Sequence, residues 1–96
     1  MMTIEQMANK TKENYAKALN IGYFVIKAFP DLEDRAIELK RNFKEVENFL
    51  NSAKVNYIRK SEMRKILERS EEFLRVLMEF EEVQIKTRGY KRPNYF

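Results

Sequence analysis

The sequence predicts an all-α protein, an antiparallel up-down-up bundle of three long helices, and three observations lead there. Charged residues make up 35% of the 96 residues while glycine and proline number two each, a composition suited to long solvated helices and poor for a sheet or a disordered chain. Apolar residues recur at alternating steps of four and three, the spacing of one helical face. Pro30, Gly89 and Pro93 fall at the ends of these periodic stretches and not inside them. A chain this short buries only roughly 60–65% of the surface its unfolded form exposes, so a second copy or a partner is expected to complete its core.

The first helix, about 3–29, opens with Thr3-x-x-Gln6. In that capping box the hydroxyl accepts an early backbone N–H and the Gln side chain reaches back. Ile4, Ala8, Thr11, Tyr15, Ala18, Gly22, Val25 and Phe29 form its seam, and from Leu19 onward it is apolar nearly all round. Pro30 ends it. Asp31 is then placed to cap a second helix, about 31–54, with Glu33 and Asp34 in its first turn. Leu32, Ala36, Leu39, Phe43, Val46, Leu50 and Ala53 continue the same stepping, widened by Ile37 and Phe49. The connection is short, which makes the two helices antiparallel neighbours. Ser61 is the expected cap of a third helix, about 60–88, whose stripe is Met63, Ile66, Phe73, Leu77 and Phe80. Gly89 follows Lys86 and Arg88 as a natural stop. Residues 1–89 are thus expected to form the bundle domain and 90–96 a basic, aromatic tail.

Leu67, Leu74, Val76, Met78, Val83 and Ile85 spread the apolar surface of the third helix well beyond one seam. Monomers rarely leave large contiguous apolar patches wet, so Phe24, Leu74, Met78 and Ile85 are the candidate interface of a homo-oligomer or with another protein; the alternative is that these stretches form the thick middle of a monomer core.

Chemistry is scarce. Without His or Cys the commonest general base, thiol nucleophile and soft metal ligands are missing. Glu68, Glu72 and Glu79 share a helical face, but Arg64, Arg69 and Arg75 are interleaved with them, as in a solvated face laced with ion pairs. Neither glycine belongs to a phosphate-binding loop. No enzyme activity, cofactor or metal is expected. Ala18 to Phe29, the longest apolar stretch, is interrupted by Asn20 and Lys27 and falls short of the ~20 residues that span a bilayer. With no basic and apolar leader at its start and no Cys, the chain is expected to be cytoplasmic and away from membranes.

The charge is concentrated in two places. Up to Ile85 the chain carries 15 basic and 15 acidic residues, and the whole net charge of +4 comes from Lys86, Arg88, Lys91 and Arg92. These cations are interleaved with Tyr90, Tyr95 and Phe96, a mixture that suits phosphates and unpaired bases; equally, the rings could fold back on the bundle. A second cluster, Lys54, Arg59, Lys60, Arg64 and Lys65 with only Glu62 among them, lies roughly 40 Å away at 1.5 Å per helical residue. Both clusters are candidate RNA- or DNA-binding surfaces, and in a ring of subunits each would be repeated by symmetry. A helical adaptor that binds only protein is the alternative.

Phe29-Pro30 closing a first helix, Arg35 followed by Leu39, and the stretch from Lys60 through Arg64, Ile66 and Leu74-Arg75-Val76-Leu77 to Tyr90 resemble a four-helix-bundle family. It contains the accessory variability determinant (Avd) proteins of diversity-generating retroelements and the intervening-sequence proteins of ribosomal RNA genes. The resemblance covers about two thirds of the chain. It implies a barrel-like pentamer with basic surfaces, a non-catalytic role, and a reverse transcriptase and its template RNA or cDNA as partners. The family's fourth helix, expected after the tyrosine, has no counterpart in this sequence.

Overall fold

In a computed structural model, residues 1–94 are described apart from the side chain of Val55, and they are helical without strands. Helix α1 spans Ile4–Ala28, α2 Glu33–Asn42, α3 Lys44–Leu50 and α4 Lys60–Arg88, with short 3-10 turns at Pro30–Leu32 and Ala53–Asn56. The expected capping box forms: Gln6 N–H donates to the Thr3 hydroxyl at 3.1 Å and Thr3 N–H donates to Gln6 Oε1 at 2.8 Å. Such a cap stabilises a helix by about 1 kcal/mol.

Three details differ from the sequence expectation. The second helix is two helices that end at Leu50, not one that runs to residue 54, and the break falls at Phe43 (φ −117°, ψ 24°) with neither glycine nor proline to cause it. Arg69 of α4 accounts for its tolerance. Its guanidinium donates to the Asn42 carbonyl, which the break takes out of the helical ladder, and also to Glu45 and Glu72, while lying 4.6 Å over the Phe43 ring. The freed carbonyl thereby keeps a partner within the protein. Secondly, Asp31 does not cap α2; it sits in the 3-10 turn after Pro30, Leu32 takes the cap position, and no side chain bonds there. Thirdly, α4 starts one residue before Ser61, behind Arg59, again without a side-chain cap.

The long α1 and α4 make the main contact of the molecule. Met7 and Ala8 share one buried cluster with Phe49, Met63 and Leu67. Ala18, Ile21 and Val25 share a second with Leu39, Phe43, Phe73 and Leu77. Early α1 therefore lies beside early α4 and late α1 beside late α4. Between the two clusters sits a polar layer. Asn14 Nδ2 donates to Ser70 Oγ at 3.3 Å, and Thr11 and Ser70 donate to the carbonyls of Met7 and Leu67 within their own helices. All three residues are buried, so a slip of one helix along the other would leave the Asn14 amide without its partner. The particle measures 44 × 25 × 17 Å, little more than the length of α4.

The apolar surplus of α4 is partly absorbed. Leu74, Val76, Phe80 and Ile85 are half-buried against the second cluster, and Phe24 is half-buried on α1. Met78 and Val83 stay 52% exposed. In exchange the buried side of α4 takes Glu81 and Gln84, which the periodicity did not mark.

Candidate nucleic-acid interface

The two ends of α4 carry the two basic clusters. At its C-terminal end Gly89 takes the left-handed conformation (φ 66°) that favours glycine. The N–H groups of Gly89 and Tyr90 both return to the Gln84 carbonyl. That reversal turns the chain back, and Tyr90, 8% exposed, enters the second core cluster with its ring 5.8 Å from that of Phe29. Tyr90, a candidate base-stacking residue by sequence, is thus a core residue.

The tail cations are held as well. Arg88 grips Asp31 with two hydrogen bonds of 3.0 and 3.1 Å and lies 4.1 Å over the Phe29 ring, and the hydrogen bond from Arg88 holds the Asp31 carboxyl below its ordinary range. Arg92 donates to Glu81 at 2.7 Å and pairs with Glu82 at 3.5 Å. Lys86 lies 3.9 Å from Glu82. Among the four, Lys91 alone is exposed with no ion pair among the described residues. Tyr95 and Phe96, the other tail aromatics, lie outside the described residues.

At the N-terminal end the arrangement is the reverse. Ile58 packs against the first core cluster, while its neighbours Tyr57 and Arg59 are exposed, Tyr57 by 88%. The Tyr57 N–H is bonded to the Lys54 carbonyl at 3.0 Å, closing the turn. Lys54, Arg59, Lys60, Arg64 and Lys65 are all exposed. Lys60 approaches the Met1 sulfur, and none of the five forms a salt bridge among the described residues. Arg59 is the extended residue before α4, Lys60 and Arg64 stand one helical turn apart at its start, Lys65 follows Arg64, and Lys54 lies in the 3-10 turn just before. Sequence reasoning found these five cations and did not single out Tyr57. Its signal was an aromatic between Lys54 and Arg59 in a stretch without apolar periodicity.

Of the candidate interface residues, Leu74 and Met78 line a cleft of about 590 Å³ between α1 and α4, together with Lys10, Asn14, Glu71, Arg75 and Arg92. Phe24 and Ile85 are half-buried elsewhere and do not join them. Glu72 and Glu79 are paired with Arg69 and Arg75. Among the described residues no group of three acidic side chains is placed to hold a metal ion, and no helix is long and apolar enough to cross a membrane.

Comparison with known protein families, curated proteins and solved structures finds no match. The Avd resemblance accordingly rests on the quoted residues alone.

Proposed function

We propose that the chain is a non-catalytic accessory protein that holds nucleic acid through the basic edge at the start of α4. One observation carries this reading: five exposed cations at one end of the molecule with no carboxylate partner among the described residues. Unpaired, exposed cations bind a polyanion through the release of its counterions. In this reading the chain is an up-down-up bundle, cytoplasmic, and assembles into a homo-oligomer that repeats the edge by symmetry. The Avd resemblance makes a reverse transcriptase, with its RNA template or cDNA, the expected company of such an assembly.

Salt-dependent binding tests it. An RNA or DNA oligonucleotide should bind with a log–log salt slope of about −3.5 if all five cations engage a single strand, at about 0.7 per phosphate neutralised. Arg59→Ala, Arg64→Ala and Lys65→Ala together should flatten the slope by about 2 without lowering the melting temperature. Salt-independent or absent binding would reject the reading.

A protein-only adaptor is the second reading, favoured by Met78 and Val83, which stay exposed on α4. Capture of a protein partner that survives neutralising the five cations, without nucleic acid, would support it.

A further inference from the structure

Resting on the nucleic-acid reading above, we infer that the basic edge is built for single strands, and that Tyr57 is the platform on which an unpaired base stacks. The turn between α3 and α4 fixes the backbone that carries the ring. The 3-10 turn Ala53–Asn56 is closed by the Tyr57 N–H to the Lys54 carbonyl at 3.0 Å, and the next residue, Ile58, is seated against the first core cluster. With Ile58 directed inward, Tyr57 and Arg59 on either side of it project outward. Tyr57 is 88% exposed, far more than the aromatics that serve the core, and its ring contributes nothing to the packing below. Burying even part of such a ring would be favourable, and the fold leaves that gain for a ligand.

Its surroundings select the ligand. Lys54 lies three residues before the ring, Arg59 and Lys60 follow it, and Arg64 and Lys65 continue the edge up α4, all exposed. An aromatic face bordered by cations matches an unpaired base on a phosphate backbone: the ring takes the base, and the cations take the phosphates on either side. A duplex keeps its base faces inside the stack, so it could use the cations but not the ring. An acidic peptide would likewise engage the charges without needing a stacking partner. The ring therefore sets a single strand apart from the other two.

The experiment compares Tyr57→Ala and Tyr57→Phe with the unchanged chain, measuring by fluorescence anisotropy the affinities for a single-stranded oligonucleotide, as RNA and as DNA, and for a duplex of the same length. Base stacking on an aromatic is worth about tenfold in affinity. Tyr57→Ala should weaken single-strand binding about tenfold and leave duplex binding within twofold, while Tyr57→Phe retains both. Equal losses on both forms, or no loss on either, would overturn the inference while leaving the nucleic-acid reading standing. If the unchanged chain binds neither form, the nucleic-acid reading falls and this inference with it. Because Tyr57 is so exposed, both variants should melt with the unchanged chain, and a lowered melting temperature would show the ring to be structural and overturn the platform role.

Discussion

At the end of α4 a tyrosine is 8% exposed and the arginines beside it lie on carboxylates; at the start of α4 a tyrosine is 88% exposed and five cations have no acidic partner among the described residues. In composition the two poles are alike, each a run of Lys and Arg around Tyr. What separates them is the neighbouring fold. The C-terminal pole returns past Asp31, Glu81 and Glu82, and past the open edge of Phe29, which give its cations and ring something to hold. The N-terminal pole has Glu62 alone among its cations, and it turns Ile58 and Met63 inward onto the first cluster while Tyr57 stays outside. A basic and aromatic segment is therefore structural where the fold meets it with acids and an apolar seat, and available to a ligand where it does not.

The largest expected effect follows from that contrast. Tyr90→Ala should empty a core seat and lower stability by about 3 kcal/mol, a fall in Tm of more than about 10 °C for a chain of this size, whereas Tyr57→Ala should leave Tm unchanged. Thermal melting by circular dichroism checks both. Equal Tm values for the two variants would erase the distinction between the poles.

Next in size is Arg92→Met. Glu81 is 2% exposed, on the buried side of α4 between Leu77 and Gln84, and Arg92 supplies it with a charge-assisted hydrogen bond from the tail. Removing one partner of a buried carboxylate is strongly destabilising when both are enclosed. Arg92 is itself half exposed, which reduces the expected loss to about 1–2 kcal/mol. Adding Glu81→Gln should restore part of it, because the neutral amide costs less to bury. A double variant no more stable than Arg92→Met would show that the pair is not the reason the tail stays closed.

Much of this was legible in the residues. The Thr3–Gln6 capping box, the stop at Gly89, and the α1 seam of Ala8, Thr11, Ala18, Gly22 and Val25 are all local, fixed by spacing and backbone preference, and the structure has them. The break at Phe43 was not legible, since nothing nearby in sequence disfavours a helix; it is tolerated because Arg69, 26 residues further on, serves the Asn42 carbonyl. Nor did periodicity mark Glu81 as buried, because its burial depends on a tail that first has to reverse at Gly89. Composition marked both basic clusters and put the whole net charge in the tail, and only the position of the acids in the fold shows which cations are already paired. Tyr57 went unnoticed as an aromatic in a non-periodic stretch, where exposure cannot be read without the turn.

The smallest effect concerns the outermost contact of the tail. The hydrogen bond from Arg88 lowers the Asp31 carboxyl below its ordinary value of 3.8, so the pair contributes only while Asp31 is ionised. A carboxyl with a depressed folded-state value gives stability that is fully present above the unfolded value and lost as pH falls through the folded one. Stability from this pair should therefore be flat from pH 5 to 8 and fade below about 3.8. The Asp31 side chain is mostly exposed, which keeps the contribution small. The clean measurement is the Tm difference between the unchanged chain and Asp31→Asn across pH: constant through neutrality, closing below pH 3.8, and narrowed at every pH by added salt. A difference that persists in strong acid would mean that Asp31 acts through the turn after Pro30 and not through Arg88. The hold on the tail would then rest on Tyr90 against Phe29 and on Arg92 with Glu81 and Glu82, with no electrostatic share from Arg88.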